Sequence, residues 1–175
     1  MKSLSEIDTT SKRASRAVGF SWGVAEEIGK NIRLLELFGL AGIRTLTQYY
    51  NLRTNQNFEN LNLINENNFS KKNPFCPIII GINFLDQIRT IENFKKITFN
   101  QISFPLLLLP FLSRSSEIIG KRIFIKFDKI EFLLNLNVNI SSNLLNKDCP
   151  EIANDVEINI MENQDNFSDQ EWRNL

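Results

Sequence analysis

The chain contains no histidine among its 175 residues. That excludes Ser-His-Asp and Cys-His nucleophilic catalysis, histidine metal sites and imidazole acid–base work. Cysteine is almost as scarce: Cys76 and Cys149 are too few for a disulfide framework or a structural zinc site. With only 7 glycines, neither G-x-G-x-x-G nor G-x-x-x-x-G-K-[ST] occurs, so no phosphate loop of those types is encoded. The longest apolar run, 104–112, contains Pro110 and falls far below the ~20 residues of a membrane span. The opening Met1-Lys2-Ser3-Leu4-Ser5-Glu6 leads into polar sequence without the apolar core of a secretory signal. No cofactor, metal or membrane is expected, and a cytoplasmic location is.

Surplus charge is missing too, since 20 basic and 20 acidic residues cancel. A general nucleic-acid binder needs excess Lys and Arg to displace counterions, so no nucleic-acid partner is expected. The charge is uneven, however. Residues 1–53 hold 8 basic and 5 acidic side chains, residues 54–140 hold 10 and 7, and residues 141–175 hold 2 and 8. An acidic tail thus follows a mildly basic body. The apolar content of 42% and charged content of 23% are those of an ordinary globular chain, long enough for one domain with a small extension.

What is present is best marked between Gly19 and Gly39. Gly19 supplies a turn and Ser21 is a candidate N-cap. Ala25, Ile28, Ile32, Leu35 and Phe38 follow at helical spacing, and Gly39 stands where a left-handed residue ends a helix. Glu26 and Glu27 are expected in the first turn, with Glu26 pairing to Lys30 at i,i+4. Trp22, Glu26, Glu27 and Arg33, with Cys76 further along the chain, are the candidate binding residues; the plainer alternative has Trp22 and Phe20 stapling the turn onto the core beneath a solvated charged face.

Around this helix the spacing predicts two more. One begins at the capping box Ser3–Glu6, with Leu4, Ile7, Ala14 and Val18 near one face. The other runs from Ala41 to about Tyr50 and buries Ile43, Leu46 and Tyr50. Residues 1–50 therefore form a helical unit, and 51–73 an Asn-rich linker on which Leu61, Leu63 and Ile64 can dock a short turn. An α+β core is expected over 74–161. Within it, Pro77–Phe84 reads as a buried strand with Gly81 at a bulge or close backbone approach, and 86–93 as a short helix or loop. Residues 96–104 read as one strand or two. A buried helix starting near Leu106 or Pro110 runs to Ile119, ends at Gly120, and turns Ser113, Arg114, Ser116 and Glu117 outward. The alternation of Arg122–Phe127 and Ile130–Ile140 about Asp128-Lys129 is a β-hairpin. A polar loop over 141–154 and a last strand over 156–161 follow. The tail, 162–175, holds a capping box at Ser168–Glu171 with no room for its helix. The fold class is α+β: an N-terminal three-helix unit packed on a small mixed or antiparallel sheet with one buried helix.

The residues Ser3-Leu4-Ser5-Glu6-Ile7 and Arg13-Ala14-Ser15-Arg16-Ala17-Val18-Gly19-Phe20-Ser21-Trp22-Gly23-Val24-Ala25-Glu26-Glu27 resemble a bacterial family of uncharacterised proteins, domain of unknown function 3726. Cys76-Pro77-Ile78 with Gly81, and Pro105-Leu106-Leu107-Leu108-Leu109-Pro110-Phe111, fit the same resemblance, which would extend from Ser3 to about Ile140. Its members run on to a Gly- and Ala-containing, acid-ended terminus with no counterpart after Trp172. The resemblance brings no activity, cofactor or catalytic residues.

The remaining chemistry lies in carboxylates, lysines and two thiols. Cys76 beside Lys71 and Lys72 is a nucleophile if exposed and a small hydrophobe if buried. Glu26 and Glu27 point about 100° apart on a helix and cannot flank one bond. The function expected is a non-catalytic interaction or small-molecule-binding accessory module, with a protein or small molecule as partner. The alternative is a small cytoplasmic enzyme using carboxylates or Cys76 in a pocket between the helical unit and the sheet.

Overall fold

The computed structural model describes residues 2–137, 139–144, 149–162 and 173–174. The chain divides into two compact units, Met1–Asn57 and Phe58–Leu175, and its secondary structure is α+β as expected.

The first unit contains three helices, α1 (Leu4–Ala17), α2 (Trp22–Leu37) and α3 (Gly42–Arg53). Ser3 caps α1 reciprocally: its hydroxyl accepts from the Glu6 N–H at 3.2 Å, and the Glu6 carboxylate accepts from the Ser3 N–H at 2.8 Å. Ser21 caps α2 by accepting from the Val24 N–H at 3.3 Å. Gly19 at φ 103° and Gly39 at φ 77° take backbone conformations that a Cβ disfavours, so both turns fall where glycine does.

The buried faces differ from the expected ones. On α1 the buried positions are Ile7, Ser11 and Ser15, while Ala14 and Val18 are exposed. The Ser15 hydroxyl bonds both the Ser11 carbonyl and the Tyr50 hydroxyl, so a polar pair ties α1 to α3. Phe20 is buried, as the staple reading expects, but Trp22 is 61% exposed. On α3, Leu46, Tyr49 and Tyr50 are buried and Ile43 points outward. Because α2 starts at Trp22, Glu26 and Glu27 lie beyond its first turn and the helix dipole gives them little. Glu26 pairs with Lys12 of α1 at 3.2 Å, and Lys30 reaches Glu27 at 3.8 Å.

The second unit opens with the Asn-rich segment, which is tied down by hydrogen bonds. The Asn68 amide donates to the carbonyls of Asn65 and Thr98, and Asn100 pairs with both backbone groups of Ser70. Asn83 and Gln87 side chains donate to the carbonyls of Leu61 and Asn62. Ile64 is buried, whereas Leu63 is exposed. Asn67–Asn68 form β1.

Pro77–Phe84 is not a strand. It is the first half of helix α4, Pro77–Ile91, which Pro77 opens at its first turn. Ile80, Phe84, Ile88 and Ile91 are all buried at helical intervals, and this period outweighs the β propensity of the isoleucine run. Gly81 marks a close approach, though to a side chain: an added Cβ would overlap the ring of Phe111. A 3-10 turn, Glu92–Phe94, leads into a single strand, β2 (Lys96–Ser103).

A second 3-10 turn, Pro105–Leu108, precedes helix α5 (Leu109–Ile119), which Gly120 closes. Ser113 and Ser116, expected in solvent, are fully buried along with Ser115. Ser116 Oγ bonds the carbonyl oxygens of Lys121 and Leu134 and accepts from the Leu136 N–H at 2.9 Å. Ser113 bonds the Asn137 side chain at 2.7 Å. These serines hold the sheet's turns against the helix, and so satisfy backbone groups that burial would otherwise leave unpaired.

The hairpin forms from β3 (Arg122–Phe127) and β4 (Ile130–Asn135). The alternation through Ile140 conceals a second reversal: Leu136 and Asn137 take φ values of 54° and 59°, and β5 (Asn139–Ser142) folds back along β4. The last predicted strand is longer and begins earlier, as β6 (Ile152–Met161). Arg173–Asn174 form β7. The capping box at Ser168–Glu171 lies outside the described residues. Strand order is β1-β2-β6-β3-β4-β5-β7, with β1 parallel to β2 and the other neighbours antiparallel.

Sequence-distant β2 and β6 thus pair side by side, and β6 links β2 to the β3–β4 hairpin. The face formed by Ile97, Phe99, Ile123, Ile125, Val156 and Ile158 is buried; α5 packs on β3 and β4, and α4 packs on α5. Inward positions Phe99 and Ile102, and Ala153 and Val156, stand three residues apart, so both strands skip a beat together beside Asp155 at φ 51°. Lys121 bridges Glu92 at 3.5 Å and Glu162 at 3.2 Å. The hydrogen bond to Glu162 raises its pKa above the ordinary lysine value, against a smaller desolvation effect.

Candidate functional site

Helices α1 and α2 run antiparallel, because Lys12 meets Glu26 while, one turn back along α1, Asp8 meets Gly29. A Cβ on Gly29 would lie 2.5 Å from Asp8 Oδ1 and 2.8 Å from the Asp8 carbonyl oxygen. Glycine at 29 is therefore what lets the two backbones close. Alongside this contact runs a groove of ≈ 380 Å³. Ser5, Asp8, Thr9, Lys12 and Arg13 of α1 line it, together with Trp22 and Arg33 of α2.

Trp22 is the first residue of α2, where its ring projects beside α1. The Arg16 guanidinium carbon stands 4.5 Å from the ring centroid and Lys12 Nζ 5.6 Å. Such cation–π contacts contribute roughly 0.5–1 kcal/mol at exposed sites. Arg16 is itself held by donating to the Phe20 carbonyl at 2.7 Å. Two cations one turn apart on α1 thus orient a ring that keeps 61% of its surface in solvent.

The other two cations of the groove are uncommitted. Arg13 and Arg33 are exposed, and neither makes an ion pair or hydrogen bond among the described residues. Trp22 and Arg33 are eleven residues apart, which along a helix is about 16 Å. The groove therefore carries an aromatic plane toward one end and a guanidinium toward the other, with Lys12 and Arg13 between.

Of the candidates read from the sequence, Trp22 and Arg33 line one groove, and Glu26 borders it through Lys12. Glu27 is turned to Lys30 and is not among the lining residues. Cys76 belongs to the second unit, where it caps α4 with its backbone carbonyl accepting from the Ile80 N–H at 3.0 Å. Its side chain is 1% exposed, the environment of a small hydrophobe. Sequence reading missed Lys12 and Arg13 as groove residues and Arg16 as the cation over Trp22. Their signal was a basic i, i+1, i+4 pattern on the helix preceding a tryptophan at a helix start, a pattern that solvated faces share.

The second unit has a cleft of ≈ 340 Å³ near Asn67, Phe69, Thr98, Asp155 and Glu157. Its amides are already used in the fold: Asn67 accepts from the Thr98 hydroxyl at 2.7 Å, and Asn68 and Asn100 bind backbone. Among the described residues, no group of three or more Cys, Asp or Glu side chains is placed to hold a metal ion. No described helix is long and apolar enough to cross a membrane.

Residues 2–76 match the model of a family described as a protein of unknown function, DUF3726. This is the family that the motif between Ser3 and Glu27 resembles. The matched span takes in all three helices of the first unit and stops at Cys76, short of the Ile140 to which the resemblance was extended. No curated protein and no solved structure matches the chain.

Proposed function

We propose that this protein is a non-catalytic, cytoplasmic binding module whose first unit receives a small molecule in the groove between α1 and α2. The observation that supports this most is the exposed Trp22 ring, oriented by Lys12 and Arg16 beside a groove whose Arg13 and Arg33 make no ion pair or hydrogen bond among the described residues. Fixed aromatic planes and converging polar groups are what ligand sites share. Burial of Cys76 speaks against the thiol-based alternative.

The test is native mass spectrometry of protein purified gently from its own cells, beside a denatured control and a Trp22→Ala variant prepared alike. A small molecule retained by the native protein, and lost on denaturation and in the variant, is the expected result. Bare protein, or retention unchanged in Trp22→Ala, would overturn the groove as the binding site.

A further inference from the structure

We infer that the ligand of this groove is a planar ring joined by a polar spacer to an oxyanion, a phosphate or a carboxylate. This rests on the groove being the binding site and names what it takes. Two guanidiniums unpaired among the described residues, Arg13 and Arg33, line the groove, and guanidinium matches carboxylate and phosphate oxygens bidentately. The hydroxyls of Ser5 and Thr9 line the groove too. The contact of Asp8 with Gly29 places Arg33, one turn further along α2, toward the Ser5 end. An oxyanion there meets a guanidinium and two hydroxyl donors.

The opposite end offers Trp22. Its two cations come from one helix, and the exposed remainder of the ring leaves a surface for stacking. The carboxylates that bear on the groove are Asp8, which lines it, and Glu26, which is paired with Lys12. Against them stand Lys12, Arg13, Arg16 and Arg33, so the field favours an anion. The separation of Trp22 from Arg33, about 16 Å along the helix, exceeds what a single small ring spans, which is why a spacer is required.

The test uses the full chain carrying Trp172→Phe, so that Trp22 is the one tryptophan reporting. Its fluorescence is titrated with ADP, with adenosine and pyrophosphate as the separate halves, and with N-benzoylglutamate as a ring-bearing carboxylate. At least one of ADP and N-benzoylglutamate should saturate, with ADP binding about tenfold or more tighter than either half if the anion is phosphate. Arg33→Gln should weaken that binding by about tenfold or more, the worth of a charged hydrogen bond, while leaving the thermal melt unchanged because Arg33 is exposed. ADP alone saturating identifies phosphate, and N-benzoylglutamate alone identifies carboxylate. Equal binding of adenosine and ADP, or binding unchanged in Arg33→Gln, would overturn the inference. So would failure of both ring-bearing anions; a molecule still retained in native mass spectrometry would then leave the binding-module reading standing, and bare protein would remove both.

Discussion

Both units bring helices into contact through a glycine, but they use the contact differently. In the first unit Gly29 meets the backbone and carboxylate of Asp8, a polar seam at the surface with a charged groove beside it. In the second, Gly81 meets the ring of Phe111, which is fully buried. The first glycine brings polar side chains of two helices together around a site. The second removes a side chain so that an aromatic can fill the core. A close-approach glycine therefore says that something packs there, and the residue it faces says whether the result is surface or interior.

The contrast can be broken most severely in the second unit. Phe111→Ala should cost about 3–5 kcal/mol in urea denaturation, since it removes a fully buried ring from an interior that cannot fully collapse. Gly81→Ala should cost about 3 kcal/mol, because its Cβ would overlap a ring held on all sides. Combining the two should cost clearly less than their sum, since the cavity left by the phenyl ring admits the added methyl. Additivity in that cycle would show that the glycine is needed for some other contact.

In the first unit the same substitution should be milder. Gly29→Ala meets a carboxylate that can rotate away, as well as a carbonyl that cannot. The overlap is offset in part by the roughly 1 kcal/mol that alanine gains over glycine in a helix, so a net loss of about 1–2 kcal/mol is expected in the same denaturation experiment. A loss matching that of Gly81→Ala would mean that the α1–α2 seam is as rigid as the core.

How far these features could be read from the sequence follows the same division. The first unit's helices were legible because Ser3, Ser21, Gly19 and Gly39 mark their ends and α2 has one apolar stripe. Helix α4 was not, because three consecutive isoleucines imitate a buried strand; Pro77 at its start and the interval from Ile80 to Phe84, Ile88 and Ile91 were the contrary signals. Ser113 and Ser116 looked like a solvent face, since nothing local shows that the turns after β4 and α5 would need their hydroxyls. The fold between β4 and β5 was hidden for a similar reason: Leu136 carries no turn chemistry, and its left-handed backbone is imposed by strand pairing. At the groove, Trp22 and Arg33 could be singled out, but the α1 half could not, because it is assembled only once α1 and α2 pack antiparallel, bringing Lys12 to Glu26 and Asp8 to Gly29.

Ser3→Ala should cost about 1 kcal/mol, the worth of a reciprocal cap, seen as a small downward shift in the melt of the intact chain. A change within error would mean that α1 is held by its side, through Ser15 and Tyr50, more than by its end.

The smallest effect on stability should come from the residue placed at the centre of the site. Trp22 has 61% of its surface in solvent, so Trp22→Ala forfeits little burial, and its contacts with Lys12 and Arg16 are of the exposed kind. The expected cost is about 0.5–1 kcal/mol, the scale of the exposed cation–π contacts it loses. Large aromatic surface left in water contributes little to folding, so a binding role for the ring predicts an effect on ligand far larger than its effect on stability. Denaturation of Trp22→Ala measured beside ligand retention separates the two roles. A cost above about 2 kcal/mol would make Trp22 a structural staple after all and remove the main argument for the groove; near-zero cost with retention abolished would assign the residue to binding.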